Sequence, residues 1–140
     1  MDTDITIESL YKEKTESIIA GFFKVYNSLG FGFLEKVYEN ALRIELIDKG
    51  HSVQMQFPIT VYYENHSVGH YFADLLVDDK IILEIKTVET LINEHECQLI
   101  NYLKATEYEI GLLLNFGKKP EIKRKIYANN LKKHLHKRPN

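Results

Sequence analysis

Three side chains in the middle of the chain have the types and spacing that phosphodiester hydrolysis requires. Asp74 precedes the segment 78–80 (Asp-Asp-Lys), and Glu84 and Lys86 follow it, two residues apart. Side chains alternate between the two faces of a β-strand, so Glu84 and Lys86 share one face. If residues 78–80 form a three-residue loop between antiparallel strands, Asp74 lies directly opposite Glu84. A two-residue loop would put Asp74 on the other face.

Two carboxylates that face each other across a sheet repel, unless a cation offsets their charge. Mg²⁺ suits such a site, because it accepts one or two carboxylates and takes its other ligands from water and phosphate oxygens. Mg²⁺ or Mn²⁺ would polarise a phosphoryl group, and a nearby lysine would stabilise the charge that develops on it. The three residues alone also fit a simpler interpretation, in which Asp74 pairs with Lys86 on a solvent-facing strand without metal. Taken in isolation, their spacing favours that simpler interpretation.

The elements that must position these residues follow from hydrophobic periodicity. Helical spacing predicts one helix over residues 7–29 and a second over 34–48, followed by a strand-rich centre. We predict strands over residues 53–57, 59–63, 70–77 and 81–88, then a helix over 94–104 and strands over 109–116 and 122–126. This order indicates an α/β (α+β) domain with a mixed central sheet flanked by helices.

Length and composition indicate a single globular domain over residues 1–140. Cys97 is the one cysteine, so no intrachain disulfide can form, and a reducing intracellular setting is expected. The first residues lack the basic and apolar runs of a signal peptide, and no apolar stretch is long enough for a membrane span. We therefore expect a cytoplasmic protein without a membrane partner.

The charge of the chain is divided unevenly along its length. Residues 1–117 contain nine Lys/Arg against nineteen Asp/Glu, whereas residues 118–140 contain nine Lys/Arg against one acidic residue. A basic C-terminal segment of this kind suits contact with phosphates, and we expect Arg124, Lys132 and Lys133 to follow a nucleic-acid backbone. A solubilising tail would have the same composition, and charge alone does not choose between the two.

Four blocks of the sequence, in this order, resemble the GxxExxY family of proteins. The similarity extends over about residues 26–124, and the order of the blocks is far more specific than the Glu-x-Lys element alone. The blocks are Gly32-Phe-Leu-Glu35-Lys-Val-Tyr38, then Ala73-Asp74-Leu-Leu-Val77 with Ile82-Leu-Glu84-Ile-Lys86, then Gln98-Leu-Ile-Asn-Tyr102-Leu-Lys, then Gly111-Leu-Leu-Leu-Asn115-Phe-Gly117.

That family is placed in the PD-(D/E)XK group, so the resemblance implies a restriction-endonuclease-like fold. Asp74 then stands for the aspartate of the motif, Glu84 for its second acidic residue and Lys86 for its lysine. Ala73 replaces the proline of the motif, a departure that leaves the metal chemistry intact. Asp74 and Glu84 would hold Mg²⁺ or Mn²⁺, and Lys86 would steady the attacking water or the transition state.

Three more residues are assigned by the same resemblance. Glu35 resembles a glutamate on the first core helix of these nucleases that approaches the metal. Gln98 and Tyr102 resemble the Gln-x-x-x-Tyr element of RecB-like nucleases and share a helix face at i,i+4 spacing. Each residue also has a structural alternative. Glu35 would favour a helix N-terminus through the helix dipole, Tyr102 would pack in the core, and Gln98 would bridge backbone groups.

These observations lead to two functional hypotheses. The first is a metal-dependent nuclease that acts on nucleic acid, with DNA favoured over RNA. The alternative is a catalytically inactive nuclease-fold module that binds nucleic acid or a protein partner, although a binding module need not retain all of Asp74, Glu84 and Lys86. A chain this short has no room for a separate recognition domain, so strong sequence specificity would require a homodimer or another partner.

Overall fold

One mixed five-stranded sheet forms the centre of the molecule. The computed structural model describes residues 3–133. The strands lie in the order β1-β2-β3-β4-β5, with β3 and β4 parallel and the other neighbours antiparallel. The predicted mixed sheet flanked by helices is therefore confirmed. The elements are α1 (Thr3–Leu10), α2 (Lys12–Leu29), α3 (Glu35–Asp48), β1 (Val53–Tyr63), β2 (His66–Val77), β3 (Ile81–Lys86), α4 (Asn93–Lys104), β4 (Ile110–Phe116), β5 (Pro120–Ile126) and the 3₁₀ turn Asn129–Leu131.

Helices cover both faces of the sheet, which explains why its central strands are mostly apolar. In β3, Ile81, Leu83 and Ile85 belong to the core that contains buried residues of α2 and α3. Ile82 belongs to a second core that contains buried residues of α4. Because successive side chains point to opposite faces, a strand buried on both sides has no position that favours a polar residue. The buried Glu84 in this strand is therefore an exception that demands an explanation.

Residues 53–63 form one strand, and the prediction of two strands separated by Pro58 was wrong. β1 is an edge strand that pairs only with β2, and an edge strand tolerates proline because one side of its backbone needs no hydrogen-bond donor. The register of β1 against β2 shifts between Val61 and Tyr62, and the backbone is also irregular at Gln56, whose φ is +53°. Met55 packs against the α2/α3 core, whereas Phe57 packs against the α4 core. The strand therefore changes face at Gln56.

The turn between β2 and β3 has the three-residue length that places Val77 opposite Ile81. Asp78 holds this turn, because its carboxylate accepts hydrogen bonds from the Ser52 backbone N–H at 2.9 Å and from the Lys14 ammonium at 3.0 Å. It also contacts His51 Nδ1 at 2.7 Å. Burial raises the pKa of Asp78, but the hydrogen bonds outweigh that effect and hold the pKa below its ordinary value. These contacts hold the turn against α2 and the segment that precedes β1.

Other predicted boundaries were also wrong. β2 begins at His66 and not at His70. The first predicted helix is interrupted at Tyr11, whose backbone leaves the helical conformation with ψ of 13°, so it becomes α1 and α2. β3 ends at Lys86 and not at Val88, because the side chain of Asn115 binds both the N–H and the carbonyl of Val88. Within residues 3–133, no helix combines the length and apolar character of a membrane span.

Candidate metal and phosphodiester site

The candidate site lies where β2 and β3 separate. Their backbone pairing covers residues 75–77 and 81–83, and the next opposed residues are Asp74 and Glu84. At this position side-chain carboxylates, instead of backbone carbonyls, accept the hydrogen bonds of the backbone N–H groups. The Asp74 N–H donates to Glu84 Oε2 at 2.7 Å, and the Ile85 N–H donates to Asp74 Oδ2 at 2.7 Å. The two carboxylates are therefore brought together, as the three-residue loop predicts.

Burial of this carboxylate pair is electrostatically costly. Two unit charges about 4 Å apart repel by about 4 kcal/mol at the effective dielectric of partly buried sites. A hydrogen bond to a charged group returns about 1.5–3 kcal/mol, so the two N–H groups offset the repulsion but leave the loss of hydration uncompensated. Burial raises the pKa of Glu84, and the Asp74 charge raises it further. Burial also raises the pKa of Asp74. The site therefore favours a proton or a cation.

A third carboxylate approaches from α3, and it belongs to Glu39 rather than to Glu35. Glu39 is buried, and its Oε1 accepts a hydrogen bond from Gln56 Nε2 at 2.6 Å. Its charge raises the pKa of both Asp74 and Glu84. Glu35 is exposed at the first position of α3, and it acts on the pKa of Asp74 less strongly than Glu39 does. Sequence reasoning missed Glu39, although its position one turn after Glu35 was the available signal.

Lys86 is connected to α4 through side-chain hydrogen bonds. Its Nζ donates to Gln98 Oε1 at 3.1 Å, and Gln98 Nε2 donates to the Tyr102 hydroxyl at 3.1 Å. Burial raises the pKa of Tyr102 to about 12, and the charge of Glu84 adds to the effect. The three residues form one hydrogen-bonded row beside the carboxylates, and the hydroxyl of Tyr102 stays protonated near neutral pH.

Residues of the block Gly111–Gly117 hold in place the backbone that follows β3. Asn115 lies opposite Lys86 in the parallel pair of β3 and β4 and is fully buried. Besides binding Val88, Asn115 donates to Glu121 Oε1 at 2.9 Å, which also accepts from the Leu91 N–H at 3.0 Å. A Cβ atom at Gly117 would lie 2.1 Å from the Val88 carbonyl oxygen, so only glycine fits there. These contacts fix the backbone immediately after Lys86.

The basic residues expected to contact nucleic acid are divided among several environments. Arg124 forms an ion pair with Glu8 of α1. The Lys132 ammonium donates to the carbonyls of Thr106 at 2.8 Å and Tyr108 at 2.6 Å, and burial lowers its pKa to about 8. Lys133 is exposed, and the remaining basic residues of the tail, after it, fall outside the described residues.

Two lysines that sequence reasoning did not single out lie at the same end of the sheet as Lys86. Lys118 and Lys119 are exposed and follow β4 directly, at the end of the sheet where Asn115 pairs with Lys86. Lys118 also lines a cavity with Thr87 and Val88, the residues that follow Lys86. Their position is a consequence of the parallel pairing of β3 and β4, because the carboxyl ends of both strands then lie at the same end of the sheet.

The donor set of the site fits a hard divalent cation. Within residues 3–133, no three His, Cys, Asp or Glu side chains are grouped closely enough to hold a metal by themselves. Mg²⁺ needs only one or two carboxylates, because water and phosphate oxygens supply its other ligands. In the described part of the structure, Asp74 Oδ1 and Glu84 Oε1 accept no hydrogen bond, which leaves one anionic oxygen of each carboxylate available.

The divided sheet, the helices on both faces and the Asp/Glu/Lys set at the division define the class as restriction-endonuclease-like. A family model described as the PD-(D/E)XK nuclease superfamily matches residues 12–137, and the chain belongs to this superfamily. The chain is similar in fold to the crystal structure of SSO0001, with a TM-score of 0.53 and 20% identity. The similarity covers 89% of this chain but 61% of that one, so this chain spans less than two thirds of its length. No curated protein matches the chain.

The strained carboxylate pair leads to a prediction about stability. The pKa of Glu84 is higher in the folded than in the unfolded protein. The free energy of unfolding of the metal-free protein therefore falls as the pH rises above about 4, the ordinary pKa of a carboxyl group. Glu84→Gln removes this charge but keeps an oxygen for the Asp74 N–H. We expect Glu84→Gln to melt at a higher temperature than the wild type at pH 8 in metal-free buffer, and to lose the stabilisation that Mn²⁺ gives the wild type.

The measurement is thermal unfolding followed by circular dichroism from pH 5 to pH 8, with and without Mn²⁺. Glu16→Gln, an exposed change on α2, is the control and should behave like the wild type throughout. A Glu84→Gln protein that is less stable than the wild type at pH 8, and that Mn²⁺ stabilises as much as it stabilises the wild type, would contradict this prediction. It would show that repulsion between Asp74 and Glu84 does not destabilise the fold.

Proposed function

We propose that this protein is a metal-dependent nuclease that hydrolyses phosphodiester bonds, with DNA rather than RNA as its main substrate. The observation that supports the proposal most strongly is the pairing of the half-buried Asp74 with the buried Glu84 beside Lys86. A purely structural role does not account for it, because the two N–H hydrogen bonds that the carboxylates accept leave their loss of hydration uncompensated. Carboxylates held at such a net cost are typical of functional sites.

Each residue of the site has a defined task in this proposal. Asp74 and Glu84 would hold Mg²⁺ or Mn²⁺ through their available oxygens, and such an ion makes a phosphoryl group more electrophilic and a water more nucleophilic. Glu39 adds negative charge on the α3 side and keeps the site selective for cations. Glu35 lies farther out, where it would act through water. Lys86 would orient the attacking water or stabilise the negative charge that develops on the phosphoryl oxygens.

Gln98 and Tyr102 act as positioning residues for Lys86. The amide oxygen of Gln98 accepts from the ammonium, and its amide nitrogen is held by the Tyr102 hydroxyl. A lysine has a long and flexible side chain, so holding its end in place reduces the entropy lost when the transition state forms. The row of hydrogen bonds therefore supports a catalytic Lys86.

Within the superfamily, we propose that the chain is a GxxExxY protein. The signature residues have consistent structural roles that support this assignment. Gly32 has a φ of +110°, which suits glycine. The Tyr38 ring stacks on Phe116 with centroids 4.4 Å apart, and its hydroxyl donates to the Gly30 carbonyl at 2.6 Å. A cytoplasmic location is part of the proposal and rests on the single exposed thiol of Cys97.

The test of catalysis rests on Lys86. If the protein is a nuclease, Lys86→Ala should reduce cleavage by about 10²–10³-fold, the usual cost of losing one transition-state donor, while affinity for nucleic acid changes little. Cleavage of single-stranded and duplex DNA and RNA is measured with Mg²⁺ and with Mn²⁺, and affinity is measured on the same preparation. Lys80→Ala, in the exposed β2–β3 turn, is the matched control and should cleave like the wild type.

Two outcomes would contradict catalysis by Lys86. A Lys86→Ala protein with normal cleavage and a lowered melting temperature in metal-free buffer would assign Lys86 a structural role, as partner of the carboxylates. A wild-type protein that binds nucleic acid but cuts no substrate with either metal would support the inactive binding module.

A second prediction concerns the phosphate contacts near the site. Each phosphate contact contributes about 0.9 to the slope of log affinity against log salt, so the double change Lys118→Gln and Lys119→Gln should reduce this slope by about one to two. Lys132→Gln should leave the slope unchanged and lower the melting temperature, because it leaves two carbonyls without their donor. The slope is measured by titrating salt in a binding assay. A reduced slope for Lys132→Gln alone would place the phosphate path at the other end of the sheet.

A further inference from the structure

A groove of about 700 Å³ opens beside the candidate site, between the β1–β2 hairpin and α4. Val61 and Tyr71 line its hairpin wall, and Gln98, Asn101 and Tyr102 are among the residues that line its α4 wall. Both walls belong to regular elements whose backbones are fixed by the sheet and the helix. The groove is therefore a feature of the fold rather than of a loop.

The groove is continuous with the candidate site, because two side chains belong to both. Gln98 and Tyr102 line the groove, and the same Gln98 amide accepts the hydrogen bond of the Lys86 ammonium. The Tyr102 hydroxyl is also close enough to Glu84 for the carboxylate charge to raise its pKa. A molecule in the groove would therefore lie next to the reacting phosphate of the proposed nuclease.

The chemistry of the groove suits a flat, uncharged ring with polar edges. Tyr71 is 49% exposed, and its ring centroid lies 5.7 Å from that of Tyr102, with a tilt of 46° between the rings. The amides of Asn93, Gln98 and Asn101 supply donors and acceptors around this aromatic surface. Among residues 3–133, no lysine or arginine lines the groove, and Glu94 adds a negative charge. A phosphate would thus be disfavoured, and a nucleobase favoured.

From this geometry we propose that the groove binds a nucleobase of a single-stranded polynucleotide, on the strand whose backbone is cut. This inference rests on the proposed nuclease function and specifies its substrate. Aromatic side chains bind unpaired bases by stacking, which tolerates any sequence. Bases in a duplex are already stacked and paired, so they could enter the groove only after unpairing. The site therefore prefers single strands, with Tyr71 as the stacking residue.

The experiment measures binding without cleavage. Fluorescence anisotropy in EDTA compares a short single-stranded oligonucleotide with an abasic strand of the same length and charge. The wild type should bind the strand with bases about tenfold tighter, because stacking of a base on an aromatic side chain favours binding by about this factor or more. Tyr71→Ala should remove this preference and leave the affinity for the abasic strand unchanged. Tyr71→Phe keeps the ring and should retain the preference.

Binding of two further ligands, a duplex and a free mononucleotide, completes the test. A duplex of the same sequence should bind more weakly than the single strand, and a free mononucleotide should compete poorly because it lacks the backbone contacts. Equal affinity of the wild type for the base-containing and abasic strands would overturn the proposal. So would a Tyr71→Ala protein that keeps the wild-type preference for bases. A mononucleotide that binds as tightly as the strand would show that the groove accepts free nucleotides instead.

These outcomes are separable from those that test catalysis. A wild type that cleaves DNA but shows no preference for bases would leave the nuclease proposal intact and reject the base-binding groove. A wild type that cuts nothing but binds bases through Tyr71 would reject the nuclease proposal and retain the groove.

Discussion

The repulsion between the Asp74 and Glu84 carboxylates is the interaction on which the rest of this structure depends. Both groups lie in the gap between β2 and β3, and each accepts a backbone N–H that would otherwise serve the β-ladder. Without these bonds, the separated strands would leave two buried N–H groups unsatisfied, which is costly. With them, the strands can separate, but two negative charges are held in a poorly hydrated place. A cation bound by both carboxylates would resolve this conflict without closing the gap.

The surrounding elements keep that gap open and rigid. Asn115 and Glu121 fix the backbone after Lys86, and Gly117 allows that backbone to approach β4 closely. On the other face of the sheet, Phe116 is packed between Phe22 and Tyr38, with ring centroids at 4.5 Å and 4.4 Å. The motif residues that are conspicuous in the sequence thus divide into two groups. A few carry charge at the site, and the others hold the ends of β3 and β4 in place.

Local pattern was sufficient to predict much of this arrangement. Strand alternation placed Glu84 and Lys86 on one face, and i,i+4 spacing placed Gln98 beside Tyr102. These relations depend on the geometry of one element, and they are therefore visible in the sequence. The position of Asp74 depended on the length of the β2–β3 turn, which the sequence left open and the structure shows to be three residues.

Relations between distant elements were not predictable in this way. The choice of Glu39 over Glu35 depends on the angle at which α3 crosses the sheet. The continuity of β1 through Pro58 depends on its being an edge strand. Likewise, Arg124 and Lys132 are both basic residues of the C-terminal segment. Arg124 pairs with Glu8 of α1, which is distant in sequence, whereas Lys132 binds backbone carbonyls. Such outcomes are set by tertiary packing, which a single sequence does not specify.

The central claim is that Asp74 and Glu84 form one divalent-cation site, and Mn²⁺ binding tests it most directly. Titration calorimetry in metal-free buffer, without nucleic acid, should detect one weak Mn²⁺ site in the wild type, because phosphate oxygens that would complete the shell are missing. Asp74→Asn keeps an oxygen for the Ile85 N–H but removes the charge, and it should weaken that site by about tenfold or more. Equal Mn²⁺ affinity in the two proteins would contradict the account.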